Sequence, residues 1–178
     1  MRLVRLRESL LGRKFTVSVE IFKASKVLLD TNILVYADNI DSPYHQVARD
    51  IRDSCLRGEI QGYLSVQNLY EYFAVVTDSK RVEFPLSSEE AISEVVKYLS
   101  VNTIKVIFPK PTTINRTISL VRKYKIQKQD IFDMQLVATM LDNGIKNIVT
   151  RNDKHFKFIS EITAINPFEP ISDKETKN

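Results

Sequence analysis

The chain has 178 residues, 43% apolar and 27% charged, with a net charge of +4, which is the composition of one globular domain with a sizeable core. Dominant disorder and collagen-like repeats are excluded, and no apolar run approaches the ~20 residues that a membrane-spanning helix needs. A single cysteine, Cys55, permits no internal disulfide, and with no signal-peptide pattern the expectation is a cytoplasmic protein.

Residues 15–22 alternate apolar and polar with period two and predict a strand ahead of the main pattern. Lys26 to Asp30 predicts a buried strand that ends in a carboxylate, and Thr31 to Ala37 a short apolar helix. Pro43 is expected to open a helix through about Leu56, with Gly58 as its stop. Gly62 to Ser65 is a short extended piece, and Ser65 suits the N-cap of a helix running through Glu71 to about Thr77. Ser87 and Glu90 form a capping signal for a helix over Ser88 to Leu99. Ile104 to Phe108 predicts a strand, Thr112 to Tyr124 a helix, and Ile131 to Asn143 a strongly apolar helix ended by Gly144. Asn147 to Thr150 and Ile162 to Ile165 are further strands, and the polar tail after Pro170 is expected to fray. Strands alternating with helices predict an α/β fold with a parallel sheet. The expected organisation is an N-terminal extension over 1–25, one domain over 26–168 and a polar tail over 169–178.

The charge is unevenly placed. Residues 1–26 carry seven basic and two acidic side chains, and Val95 to Gln129 holds eight basic residues and no acid. Such a tract is a candidate surface for a phosphate backbone, or simply a solvated, lysine-rich helix face. Four scattered glycines form no phosphate-binding loop, and His45 and His155 are not spaced as a zinc pair.

Three carboxylates stand out. Asp30 closes an apolar strand, Glu71 is the only charge in Leu69 to Val76, and Asp133 the only charge in Ile131 to Leu141. A carboxylate in an apolar element is costly unless it is paired or binds a metal. Ordinary roles are open to each: Asp30 suits an N-cap, Asp130 and Asp133 an acidic capping pair, and Glu71 a partner for a lysine. Together, however, converging carboxylates repel, and a hard divalent cation with oxygen ligands relieves that conflict.

Four stretches carry a resemblance: Leu28-Leu-Asp-Thr-Asn-Ile-Leu-Val-Tyr36, Ser65-Val-Gln-Asn-Leu-Tyr-Glu71, Asp130-Ile-Phe-Asp-Met-Gln-Leu-Val-Ala-Thr-Met140 and Asn147-Ile-Val-Thr-Arg-Asn-Asp-Lys-His-Phe156. In this order the chain resembles PIN-domain nucleases, and within them the VapC-type toxins of prokaryotic toxin–antitoxin pairs, from about Lys26 to Pro167. The resemblance implies a three-layer α/β/α sandwich with a central, mostly parallel sheet. It implies a Mg²⁺- or Mn²⁺-dependent endoribonuclease with metal-binding catalytic acids at Asp30, Glu71 and Asp133. Thr31, Asn32, Asp130 and Thr150 are expected to support them. The family's fourth acid falls here on Asn152, with Asp153 next door as a weaker candidate ligand. Arg116, Arg122, Lys123, Lys125, Lys128 and Arg151 are expected to hold RNA, and Tyr70, Tyr72 and Tyr124 either to stack on bases or to pack in the core.

An antitoxin lying over the acidic groove and a homodimer are the partners the resemblance implies. The expected dimer or antitoxin faces are Ile33 to Tyr36 and Tyr70 to Val76, with residues 116–128 in a basic groove shared by two acidic pockets. A dehalogenase-type phosphatase needs a second Asp where Asn32 stands, and a receiver domain leaves Glu71 unexplained. The remaining alternative is a non-catalytic PIN-like module that binds RNA or protein.

Overall fold

The computed structural model describes residues 25–169. The strand expected over 15–22 and the tail beyond Glu169 lie outside the described residues. Five strands, β1 (Lys26–Leu29), β2 (Gln61–Ser65), β3 (Ile104–Ile107), β4 (Asn147–Val149) and β5 (Thr163–Ile165), form one sheet in the order β3-β2-β1-β4-β5. Every neighbouring pair is parallel. Six helices flank it: α1 (Thr31–Asp38), α2 (His45–Leu56), α3 (Val66–Val76), α4 (Ser88–Ser100), α5 (Thr113–Tyr124) and α6 (Ile131–Asp142).

The central strand shows why the sheet is covered on both faces. Val27, Leu28 and Leu29 are all fully buried, the continuous apolar run that a doubly covered parallel strand requires. Successive side chains point to opposite faces, so Val27 and Leu29 join a core with Ile33, Leu34, Ile51 and Tyr72 from α1 to α3. Leu28 joins the other core, with Leu120, Met134, Val137 and Met140 from α5 and α6. The result is the three-layer sandwich.

Local signals set most helix ends. Ser65 and Ser87 both make reciprocal capping boxes, with Asn68 and Glu90 as partners. The apolar helix α6 is followed by Gly144 at φ +71°, where a side chain would be strained. At Gly62 on β2 an added Cβ would stand 2.7 Å from both Cβ and Sγ of Cys55, so β2 and α2 approach through the missing side chain. One boundary differs from expectation. Pro43 lies in a turn, where Ser42 N–H donates to Asn39 O and His45 N–H to Ser42 O, and α2 starts only at His45. Tyr44 at that junction packs its ring on Tyr36 and Phe168, a long-range contact that takes the place of a first helical turn.

The chain runs outward from β1 through β2 to β3, then returns to β4 on the other side of β1. The crevice at the carboxyl ends of β1 and β4 is therefore a topological switch point, where open α/β sheets bind ligands. Asp30 and Thr150 are the residues that leave these two strand ends.

Candidate active site

Asp30 is buried at the end of β1 and caps α1 at the same time. Its Oδ1 accepts from Thr31 N–H (2.8 Å), while Oδ2 accepts from the Thr150 hydroxyl (2.6 Å) and from Asn32 Nδ2 (2.5 Å). Capping and site membership are thus one arrangement, since the orphan amide of the helix helps to hold the carboxylate. Asn32 in turn accepts from Arg151 N–H through Oδ1 (3.1 Å), and Thr150 Oγ1 accepts from Asn152 N–H (2.9 Å). These bonds lock the β4 exit loop to the start of α1.

Glu71 comes from the second turn of α3. The Ser65–Asn68 box fixes the start of that helix, and Asn68 Nδ2 reaches on to donate to Thr31 Oγ1 (3.2 Å). The Thr31 hydroxyl donates to Glu71 Oε2 (2.8 Å) and Gln67 Nε2 to Oε1 (2.9 Å). Asp133 projects from the first turn of α6, and its Oδ2 lies 3.1 Å from His155 Nδ1. Asp30, Glu71 and Asp133 line one open cleft of about 480 Å³, together with Thr31, Asn32 and Asn152.

Burial pushes the Asp30 carboxyl up to about 6, against the pull of the Thr150 and Thr31 hydrogen bonds, and the charges of Glu71 and Asp133 add to the rise. Asp133 is raised too, first by burial and then by Asp130 and Glu71, with His155 opposing. Among the described residues no lysine or arginine forms an ion pair with any of the three acids. Anionic groups that burden one another in this way are suited to a cation. The donor set is all hard oxygen, without a thiolate, which fits Mg²⁺ or Mn²⁺. Among the described residues no three Asp, Glu, His or Cys side chains form a ready-made cage. Mg²⁺ is commonly held by one or two carboxylates with water completing its shell, so an open acidic cleft suits it better than a closed cage would.

Other expected site residues lie elsewhere. Asp153 is buried away from the cleft, ion-paired with Lys157 and accepting from Asn166 Nδ2 (3.4 Å). Burial opposes its ionisation, but the hydrogen bond and charge of Lys157 bring its pKa below the ordinary value. Asp130 precedes α6 without a side-chain capping bond and acts on Asp133 only through its charge. Arg116, Arg122, Lys123, Lys125 and Lys128 do not line the cleft. Arg116 pairs with Asp142 (2.5 Å) and Lys123 with Glu161 (2.7 Å), so part of the basic tract is neutralised within the fold. Arg151 stacks over the Tyr44 ring, 4.7 Å from its centroid. Tyr72 is core, its hydroxyl donating to Asp38 (2.7 Å), and Tyr124 donates to Glu161 (2.5 Å). Tyr70 alone of the three is largely exposed.

Gln67, Arg81 and His155 join the cleft without a signal of their own in the sequence. Gln67 sits at the i−4 position from Glu71, a spacing that could have pointed to it. Arg81 arrives in a turn, and His155 in the single 3-10 turn Asp153–His155 that follows β4.

The chain matches the family model described as PIN domain over residues 26–154. It is 28% identical to Ribonuclease VapC24 of Mycobacterium tuberculosis over 128 residues, which cover 72% of this chain and 87% of that one. Its fold is similar to that of VapBC2 from Rickettsia felis bound to a DNA fragment from its promoter, with a TM-score of 0.56, 20% identity, and 79% and 97% of the two chains covered. It is also similar to Mycobacterium tuberculosis VapC20, described as a Sarcin-Ricin loop cleaving toxin, with a TM-score of 0.53, 16% identity, and 69% and 87% covered. With the family model spanning most of its length and the acids of the cleft inside that span, the chain belongs to the PIN domain family.

Proposed function

We propose that this protein is a divalent-metal-dependent endoribonuclease and the toxin of a toxin–antitoxin pair. The observation that carries the reading is the convergence of Asp30, Glu71 and Asp133, from three separate elements, on one cleft at the switch point of the sheet. The relatives named ribonuclease and toxin supply the substrate class.

Asp30, Glu71 and Asp133 would hold Mg²⁺ or Mn²⁺, with the Asn152 side chain as a neutral donor in place of a fourth acid. When bound, the cation supplies an acidified water for attack on phosphorus and charge stabilisation for the leaving oxygen. Thr150 and Asn32 orient the Asp30 carboxylate, and Thr31 and Gln67 fix both oxygens of Glu71. His155 positions Asp133 and offers a proton donor or acceptor at the cleft's edge. Arg122, Lys125 and Lys128, which form no ion pair among the described residues, are available to the strand's phosphates beyond the cleft, as is Arg151.

An antitoxin partner is supported by a second groove of about 700 Å³ that shares Val35 and Tyr36 with the cleft. Ile40 and Phe84 line it at 77% and 76% exposure. A partner segment seated there reaches the acids directly, and an arginine on it could take the cation's place. For a homodimer, the exposed face of α4 is a further candidate beside the expected stretches. Ile33, Leu34, Leu69 and Tyr72 are core, whereas α4 exposes Ile92, Val96 and Leu99 at i, i+4 and i+7.

The test is cleavage of end-labelled single-stranded RNA by purified protein. Fragments in Mg²⁺ or Mn²⁺ that cease with EDTA support the reading. RNA binding without cleavage in either metal would overturn it in favour of a non-catalytic module, for which Asn152 in the fourth position is the specific argument.

A further inference from the structure

A second cavity of about 300 Å³ opens beside the acidic cleft and shares Asn152 and His155 with it. Its floor is an aromatic stack. The Arg151 guanidinium lies 4.7 Å above the Tyr44 ring, and Tyr44 is itself wedged between Tyr36 (centroids 4.9 Å) and Phe168 (4.8 Å). Asn166 ties the wall together, donating to Arg151 O (3.3 Å) and accepting from Phe168 N–H (3.1 Å) through its side chain. Beneath it the buried Asp153, paired with the exposed Lys157, anchors the turn that carries Asn152 and Lys154. Arg151 is thus supported by the Tyr44 ring and remains exposed to solvent. Asn152 uses its backbone N–H on Thr150, while its side chain makes no hydrogen bond among the described residues.

An exposed guanidinium beside an open amide is a recognition surface for the polar edge of an unpaired base. The cavity suits one base rather than a larger ligand, being at the lower limit of ordinary ligand pockets. Its polar lining offers donors from the Arg151 fork, the Lys154 ammonium and one end of the Asn152 amide, beside one acceptor carboxylate, Glu169. Guanine presents two adjacent acceptors, O6 and N7, and a bidentate arginine contact to them is the commonest specific one. The cavity meets the cleft through His155, which also bonds Asp133, so a base held here belongs to a nucleotide flanking a phosphate held at the acids. Asn166 and Phe168 lie beyond residue 154, where the family match ends.

We infer that this cavity is a base-recognition subsite that selects a guanine next to the scissile phosphate. The inference rests on the RNA-cleaving reading for its role in catalysis, but base selection is measurable without cleavage. In EDTA, fluorescence anisotropy is read for short oligouridines with one central guanosine, adenosine or cytidine, and for the all-uridine strand. The guanosine strand binds about tenfold tighter than the others. Arg151→Lys retains the charge but loses the planar fork, so its preference for the guanosine strand over the other three disappears. In metal, sequencing of cut ends from a mixed RNA shows guanosine enriched at one fixed position beside the cut for wild type and not for Arg151→Lys. Equal binding of all four strands by wild type, or a guanosine preference that survives in Arg151→Lys, overturns the subsite. Guanosine-selective binding without any cleavage leaves the subsite standing and removes the nuclease reading, whereas cleavage without selection does the reverse.

Discussion

Asp30 is where the cost of the site is concentrated. Its carboxyl protonates near 3.8 in an unfolded chain and near 6 in the fold, mainly because it is buried. Between those values the folded state holds the extra proton, so metal-free stability falls as pH rises from about 4 to about 6 and then levels. The drop from this group is about 3 kcal/mol, since each tenfold change in proton affinity corresponds to about 1.36 kcal/mol. Asp30→Asn removes the pH dependence but also turns an amide donor toward Asn32 Nδ2 or Thr150 Oγ1, at a cost of about 1–3 kcal/mol. The variant is therefore expected to be less stable than wild type at pH 4.5 and to close most of that gap by pH 7. Urea unfolding in EDTA at both pH values measures this. A gap that is unchanged between them would mean that Asp30 is not the strained acid. The three acids are legible in the sequence because each is a lone charge in an apolar run. His155 and Arg81 are not, because neither interrupts any local pattern and both reach the cleft from short turns between the regular elements.

The elements depend on a few joints that couple fold to site. Asn68 closes the α3 capping box and also donates to Thr31, which in turn holds Glu71. Asn68→Ala should cost about 2 kcal/mol, from the lost cap together with a buried hydroxyl losing its donor. It should also weaken cleavage by freeing Glu71, whereas Ser87→Ala at the equivalent cap of α4 costs about 1 kcal/mol and leaves cleavage alone. Paired denaturation and RNA-cleavage assays of the two variants separate the effects. Gly62→Ala should destabilise by about 1–3 kcal/mol, because its Cβ would meet Cys55 at 2.7 Å, and a lower denaturation midpoint is the readout. The Ser87–Glu90 capping box, the Ser65 cap and all five strands are visible in the sequence because their signals span only a few residues. The start of α2 is not, because Tyr44 is claimed by Tyr36 and by Phe168, more than a hundred residues away. The partial neutralisation of the basic tract is hidden for the same reason: the partners Asp142 and Glu161 lie 26 and 38 residues from Arg116 and Lys123.

At the scale of the whole molecule, the sheet order places two strand ends side by side, and the starts of α1 and α6 and the second turn of α3 bring the three acids to that one crevice. The unpartnered stripe on α4 predicts a dimer burying at least about 1,000 Å² in total. Val96→Glu should shift the species seen by light scattering at micromolar concentration to monomer, and a wild type that is already monomeric would refute that face. The most direct test of the account as a whole is the initial rate of RNA cleavage in saturating Mg²⁺ for wild type, Asp133→Asn and Asp153→Asn, each shown by circular dichroism to be folded. Asp133 lines the cleft, while Asp153 is turned away toward Lys157. Asp133→Asn should lose about a hundredfold or more, at least what removal of a metal's outer support costs, and Asp153→Asn should keep cutting. An Asp133→Asn variant that cleaves at the wild-type rate would contradict the account.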